Sequence, residues 1–348
     1  MTKVIDLNAD QIKNSLEYNL TVGRIIVGQA DAEAVPKGQF VFFAAFDGTN
    51  NDKDQLDRDP QCTNVGQLWN QYIVAAEKNA NLHGQYYAGL GTGGKPFTEK
   101  WQPAEVTRAV VKTAEQAYEN FSLQASDWLT DHPQGPITVV LTGFSRGVAS
   151  AVIFSQLLYK NGLARPSGDA LRVGVAAGAL FDPVATGVKG NQAFPPNVRN
   201  LVGFKALNEY RYKFLAVDYS NQTDLVTISG MYGNHCDVGG GYDNGLAAVS
   251  LEAATEVLQK SGLPIGDVPY ERERLPDESK RPPGSPKRTA EKIAVHSEQD
   301  IWSVYNEDGW MYPDKRLYDA KVVVEPASPP TATGRRSFTL YDGTRVIA

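Results

Sequence analysis

Residues 137–160 read ITVVLTGFSRGVASAVIFSQLLYK, in which a strand, a sharp turn and a helix follow one another directly. The β-branched run at 137–141 is typical of a buried strand, and the apolar stretch at 148–160 is typical of a helix. Between them lies Gly143-Phe144-Ser145-Arg146-Gly147, whose glycines allow strand and helix to pack closely around the turn. This context predicts that Ser145 is a nucleophile projecting above the sheet edge. The alternative is a glycine-rich turn in which Ser145 only caps the helix.

Similar patterns recur along the chain. Apolar runs at 39–46, 171–181 and 225–231 predict three further strands, and the periodicity at 103–121 and 246–260 predicts two further helices. Strands that alternate with helices form parallel βαβ units. The sequence therefore predicts an α/β fold with one mostly parallel, doubly wound sheet.

The composition divides the chain into three predicted regions. Residues 1–38 form an N-terminal lead-in with a short helix after Asn8 or Asp10, and residues 39–262 form the catalytic core. Beyond them, prolines and charges replace periodic apolar residues. Residues 263–348 are therefore predicted to be a proline-rich C-terminal appendage, made of loops and a hairpin.

Charge and cysteine content exclude several classes of protein. The 348 residues carry a net charge of -6 and no Lys/Arg block, which argues against a nucleic-acid partner. Two cysteines make neither a disulfide framework nor a zinc site. Neither a signal peptide nor a transmembrane run of roughly 20 apolar residues is evident. We therefore expect a chain made in the cytoplasm, whose export would need a route that reads no such signal.

A serine nucleophile needs a base, and the chain offers four histidines: His83, His132, His235 and His296. In sheets with this type of turn the acid and then the histidine follow the serine along the chain, which disfavours the first two. His296 lies beyond the proline-rich segment, whereas His235 directly follows the predicted strand at 225–231. Catalytic groups gather at the carboxyl ends of parallel strands, so His235 is the predicted base.

The acid that orients the imidazole is expected at another strand end. Asp182 directly follows the predicted strand at 171–181 and lies between Ser145 and His235 in sequence. Its alternative is a turn aspartate that precedes proline. Asp237 is the alternative acid, although its closeness to His235 in sequence favours a hydrogen bond within its own loop.

Acyl transfer also needs donors for the oxyanion. The residue after the nucleophile supplies one amide, here that of Arg146, and a loop after an earlier strand supplies the other. Gly48 and Thr49 follow the predicted strand at 39–46, so either amide is a candidate. A tight turn without a ligand role is the alternative.

No metal or cofactor is predicted. Five aspartates crowd one loop, but their spacing lacks the glycine and the terminal glutamate of a calcium-binding EF-hand loop. A solvated loop is the favoured interpretation. These residues are Asp47, Asp52, Asp54, Asp57 and Asp59.

Six motifs in order resemble one family over about residues 40–260. The chain resembles the uncharacterised α/β-hydrolase domain that is shared with bacterial type VI secretion phospholipase effectors. The motifs that carry the resemblance are Phe46-Asp47-Gly48-Thr49-Asn50-Asn51, Thr63-Asn64-Val65, Tyr87-Ala88-Gly89-Leu90-Gly91-Thr92-Gly93, Gly143 to Gly147, Phe181-Asp182-Pro183-Val184 and His235-Cys236-Asp237-Val238-Gly239-Gly240-Gly241-Tyr242.

The resemblance implies an α/β-hydrolase-like fold and a lipase-like enzyme whose serine, aspartate and histidine match Ser145, Asp182 and His235. It implies phospholipase A-type cleavage of phospholipid acyl esters by an antibacterial effector secreted into target cells. It also implies two protein partners, a spike protein of the secretion apparatus and a cognate immunity protein. The chain departs from the family in carrying Asp182-Pro183-Val184, where members often have Asp-Thr-Val.

Two alternatives belong to other functional classes. One is a soluble carboxylesterase or thioesterase with the same catalytic groups. The other is a catalytically inactive module that keeps the fold and binds a partner through the C-terminal appendage.

Overall fold

Six parallel strands form the central sheet of this protein. The computed structural model describes residues 3–4, 8–55, 62–92, 98, 101–165, 168–242, 245–288, 293–297 and 322–347. The sheet order is β6-β5-β4-β3-β1-β2, and every neighbouring pair is parallel. The strands are β1 Phe40–Phe46, β2 Leu82–Tyr87, β3 Ile137–Phe144, β4 Gly174–Phe181, β5 Leu201–Ala206 and β6 Val226–Met231.

Helices cover both faces of this sheet. One face packs against α3 and α4, and the other packs against α1, α2 and α6. A short helix, α5, follows β6. The helices are α1 Ala9–Gln29, α2 Asn64–Ala76, α3 Pro103–Asp131, α4 Gly147–Asn161, α5 His235–Gly239 and α6 Gly245–Lys260. The predicted doubly wound α/β arrangement is confirmed.

The sequence of strand β1 does not alternate between polar and apolar residues. All seven of its residues are buried, because successive side chains enter opposite cores. Phe40 and Phe42 pack toward α3 and α4, whereas Val41 and Phe43 pack toward the face that carries α2. A continuous apolar run is what a strand covered on both faces requires.

Two strands of the sheet were not predicted. The edge strand β2 reads LHGQYY and is only partly buried, so its polar residues hide it from a search for apolar runs. The sequence of β5, LVGFKA, is short and is interrupted by glycine and lysine. The helix α2 was also missed.

The N-terminal helix is longer than the short helix predicted there. It has 21 residues, begins at the Asn8 cap and packs against α6. Helix α3 likewise continues to Asp131, beyond the predicted end at 121.

Smaller paired segments lie outside the main sheet. Lys3–Val4 pairs with His296–Ser297, and Val217–Asp218 pairs with Val322–Val323. Near the C-terminus, Ser337–Thr339 and Arg345–Ile347 form a hairpin. Among the described helices, none is both long enough and apolar enough to cross a membrane.

Candidate active site

Ser145 lies at the turn between β3 and α4. Its φ of 56° is in the left-handed region, which costs a non-glycine residue about 1–3 kcal/mol. Three backbone hydrogen bonds hold the turn: Ser145 N donates to Phe181 O at 3.0 Å, and Ser145 O accepts from Val148 N at 3.1 Å and Val184 N at 3.3 Å. A strained serine between a parallel strand and a helix is the feature that makes this doubly wound fold α/β-hydrolase-like.

The serine turn packs closely against the end of β1 because residue 147 is a glycine. A Cβ at this position would overlap the carbonyl oxygens of Phe46 and Asp47, at the end of β1. Glycine therefore lets the first turn of α4 touch the end of the neighbouring strand. The sheet order reverses between β1 and β3, and this is the point where open α/β sheets bind ligands.

Asp182 follows β4 and is completely buried. Its amide donates to Phe204 O at 2.7 Å, and its Oδ1 accepts from Ala206 N at 2.9 Å. The other oxygen, Oδ2, lies 2.7 Å from Nδ1 of His235. The backbone of β5 thus fixes one carboxylate oxygen, and the second orients the imidazole.

His235 is the first residue of α5, beyond the end of β6. The Asn234 side chain caps this helix by accepting from Cys236 N and Asp237 N at 3.1 and 3.0 Å. The imidazole packs between Phe144 and Phe214, at ring distances of 4.4 and 4.8 Å. Burial lowers the pKa of His235 below its ordinary value, and the hydrogen bond and negative charge of Asp182 act in the opposite direction.

These contacts determine the protonation state and the tautomer of the His235 imidazole. Burial favours its neutral form, and Asp182 accepts the proton on Nδ1. The neutral ring therefore has its lone pair on Nε2. Phe144, whose ring packs on the imidazole, is the residue that precedes Ser145. The structure thus places Ser145, Asp182 and His235 at one edge of the sheet.

Asp237 has different partners from Asp182. Its Oδ1 accepts from His296 Nδ1 at 2.7 Å, and its Oδ2 accepts from His296 N at 2.7 Å and Asn234 N at 3.0 Å. Asp237, the predicted alternative acid, thus completes the N-terminal cap of α5 and binds the segment 293–297 to this helix. The geometry favours Asp182 as the partner of His235.

The two candidate oxyanion amides after β1 are not equivalent. The Gly48 amide donates to Asp47 Oδ1 at 2.7 Å. The Thr49 amide has no acceptor within the described part of the chain. Between these two, Thr49 is the better donor for a ligand. Arg146, the other candidate, is the N-cap of α4, where helix amides carry partial positive charge.

Three aspartates of the aspartate-rich loop lie within the described residues, namely Asp47, Asp52 and Asp54. No group of three metal-binding side chains occurs among the described residues. Asp47 faces the interior, whereas Asp54 is exposed and pairs with Lys53 at 2.6 Å. Asp57 and Asp59 lie outside the described residues.

Sequence reasoning missed a charged pair beside the histidine, formed by a buried glutamate and a partly buried arginine. Glu209 is fully buried and accepts from Arg211 Nε at 2.8 Å and Arg211 Nη2 at 2.6 Å. The Arg211 guanidinium lies 3.5 Å from the centre of the Phe214 ring, which in turn packs edge-on against His235. This stretch follows β5, a strand that the sequence did not reveal.

The side chain of Arg146 was also missed. Its Nε donates to Thr186 O at 3.0 Å and its Nη2 to Lys213 O at 2.9 Å. Burial, reinforced by the charge of Arg211, lowers the pKa of Arg146 to about 10. The guanidinium remains charged at neutral pH and ties the serine turn to two neighbouring loops.

Several solved structures are similar to this protein at low sequence identity. No family model and no curated protein matches the sequence. A crystal structure of an uncharacterized protein from Pseudomonas aeruginosa is similar, with 15% identity and a TM-score of 0.49 over 78% of this chain and 52% of that chain. The Tle1 effector bound to the VgrG spike of the type 6 secretion system shares 18% identity, with a TM-score of 0.38 over 60% of this chain and 52% of that one.

Esterase 2 from Thermogutta terrifontis, in its apo form, is a third similar structure. It shares 15% identity, with a TM-score of 0.36 over 68% of this chain and 86% of that one. The chain spans about half the length of the first two proteins.

Replacing Gly147 should destabilise the fold at the serine turn. We expect Gly147→Ala to lower the free energy of unfolding by about 1–3 kcal/mol, because its Cβ overlaps two carbonyl oxygens. Gly28→Ala is the matched control, since that helical position has open space and alanine is the better helix former. Urea unfolding followed by circular dichroism measures both. Equal stability of Gly147→Ala and wild type would contradict the close packing.

The two aspartates can be distinguished by the titration of His235. We expect the His235 imidazole to titrate below about 6.5 in an NMR titration. Asp182→Asn should lower this pKa further, because the wild-type carboxylate favours the protonated ring. Asp237→Asn should instead perturb the resonances of His296, its hydrogen-bond partner. A shift of His235 in Asp237→Asn alone would reverse the assignment.

Proposed function

We propose that this protein is a serine hydrolase of acyl esters, with Ser145 as nucleophile, His235 as base and Asp182 as acid. The observation that carries the proposal is the 2.7 Å hydrogen bond between Asp182 Oδ2 and His235 Nδ1, at the sheet edge where the strained Ser145 turn lies. Acyl transfer needs a nucleophile, a base and a carboxylate that orients the base.

The reaction begins when Ser145 Oγ attacks the ester carbonyl carbon. His235 Nε2 takes the hydroxyl proton, and Asp182 stabilises the imidazolium that forms. The Arg146 and Thr49 amides donate to the oxyanion of the tetrahedral intermediate. As the intermediate collapses, His235 returns the proton to the leaving alcohol. Water then cleaves the acyl-enzyme by the same proton path and releases the free acid.

For the substrate we propose phospholipid, cleaved at an acyl ester as by a phospholipase A. The support is the ordered set of six motifs, which brackets Ser145, Asp182 and His235. The same motifs support a role as an antibacterial effector that type VI secretion delivers into target cells. On this proposal its partners are a spike protein of the secretion apparatus and a cognate immunity protein.

Lipid hydrolysis should depend on Ser145. We expect wild type to release free fatty acid and lysolipid from mixed phospholipid vesicles, and Ser145→Ala to release neither. Ser155→Ala is the matched control, because it removes a buried hydroxyl whose one bond among the described residues stays within α4, to Ala151 O at 2.8 Å. Mass spectrometry of the products and labelling by a fluorophosphonate measure substrate and nucleophile separately.

The outcomes of this experiment separate the alternatives. A wild type that cleaves a short-chain ester but not vesicles or micelles is a soluble esterase, and the phospholipase proposal fails. A folded wild type whose Ser145 is not labelled by the fluorophosphonate is an inactive binding module, and the hydrolase proposal fails.

The pH dependence of hydrolysis should report on His235. The imidazole acts as a base only when neutral, and its pKa lies below the ordinary value. As the pH falls, we therefore expect kcat/KM to persist through pH values near 6.5, where an ordinary histidine is half protonated, and to decline only below them. Initial rates on a soluble ester, measured as a function of pH, give this decline. A decline centred at or above about 6.5 would contradict the neutral, buried imidazole.

A further inference from the structure

Asp47 is a buried carboxylate that the proposed reaction does not use. It follows β1 directly and is 2% exposed. Thr63 Oγ1 donates to its Oδ1 at 2.7 Å and its Oδ2 at 2.9 Å, and Tyr86 Oη donates to Oδ2 at 2.6 Å. A carboxylate removed from water is unfavourable unless such donors satisfy it. Its position therefore depends on the elements that carry those donors.

The donors come from two rigid elements of the fold. Tyr86 belongs to β2, and Thr63 is the N-cap of α2, where its hydroxyl also accepts from Gly66 N at 3.2 Å. Burial, reinforced by the negative charge of Asp47, raises the pKa of Tyr86 well above its ordinary value. Tyr86 therefore keeps its proton and remains a donor to Asp47. The positive end of the α2 dipole further favours a negative charge here.

Asp47 in turn organises the loop that follows it. Its Oδ1 accepts from the Gly48 amide at 2.7 Å, so that amide is already engaged within the protein. The next amide along the chain, that of Thr49, has no acceptor within the described residues. Beyond it, Asn50 N donates to Leu90 O at 2.7 Å and so closes the loop. The carboxylate thus selects which amide of the loop is available.

Contacts on both sides fix this loop against the serine turn. A Cβ at Gly89 would overlap Gly48 O, and a Cβ at Gly147 would overlap Asp47 O. In addition, Thr49 Oγ1 accepts from Arg146 Nη1 at 3.5 Å. The loop therefore packs closely against Gly89 on one side and, on the other, against Gly147 at the start of the helix that follows Ser145.

We propose that Asp47 is a positioning residue that sets the Thr49 amide as an oxyanion donor for attack by Ser145. The inference rests on the proposed serine hydrolase function. Asp47 acts through the loop and touches no reacting atom. Tyr86 and Thr63 support it by holding its carboxylate in place.

A trifluoromethyl ketone reports on the oxyanion donors directly. Ser145 Oγ adds to its carbonyl carbon, His235 takes the hydroxyl proton, and the carbonyl oxygen becomes an oxyanion. The matching methyl ketone forms this adduct poorly and measures binding without it. The ratio of the two inhibition constants therefore isolates stabilisation of the oxyanion from general affinity.

We expect Tyr86→Phe to weaken trifluoromethyl ketone inhibition about tenfold and Asp47→Asn about 100-fold, near the effect of losing one oxyanion donor. Inhibition by the methyl ketone and KM for a soluble ester should stay within about twofold, while kcat falls in parallel with the trifluoromethyl ketone affinity. Tyr72→Phe is the matched control. Its buried hydroxyl donates at the same 2.6 Å, but to His83 O on β2 and not to Asp47.

The outcomes distinguish a positioning role from a structural one. If Tyr86→Phe and Tyr72→Phe lose thermal stability alike and both keep the wild-type inhibitor ratio, Asp47 is purely structural and the proposal is overturned. This comparison stands even where Asp47→Asn fails to fold. If Ser145→Ala binds the trifluoromethyl ketone as tightly as wild type, the hydrolase function itself fails and the Asp47 proposal falls with it.

Discussion

The backbone contact between Gly147 and the end of β1 is the constraint on which the site depends. Because this position lacks a Cβ, α4 begins directly against the carbonyl oxygens of Phe46 and Asp47. That contact brings the Ser145 turn and the loop after β1 together at the point where the sheet order reverses. One close approach of backbone to backbone thus positions the helix N-terminus, the proposed nucleophile and the candidate oxyanion donor.

Around this point the protein buries four carboxylates, and each has a separate task. Asp182 orients the imidazole, and Asp47 holds the loop after β1. Asp237 closes the cap of α5, and Glu209 holds Arg211 against the Phe214 ring. Each accepts hydrogen bonds from neighbouring elements, as buried charges must. Polar contacts therefore hold the candidate active site together at the carboxyl ends of an apolar sheet.

Much of the architecture could be predicted from local patterns. The runs that form β1 and β3 are apolar because both faces of the sheet are covered, and the glycines around Ser145 mark a close turn. His235 and Asp182 could be placed at strand ends by their position after apolar runs, and the structure brings them into contact.

The missed features depend on contacts that a linear sequence does not display. Strand β2 lies at the sheet edge, so its exposed polar residues conceal it. Because β2 was missed, the bond from Tyr86 to Asp47 could not be inferred. Glu209 follows β5, which was missed because its short run is interrupted by glycine and lysine. The choice between Gly48 and Thr49 turns on a single side-chain hydrogen bond, which composition and spacing cannot show.

The link between Asp237 and His296 has a consequence for how the protein is made. The two residues are 59 positions apart in the sequence. Asp237 lies in α5, the helix that carries His235, and its carboxylate accepts hydrogen bonds both from the cap of that helix and from His296. A ribosome produces α5 well before it produces His296. Until then Asp237 lacks two of its donors, both of them from His296. The helix that bears the histidine therefore reaches its full stability late in synthesis.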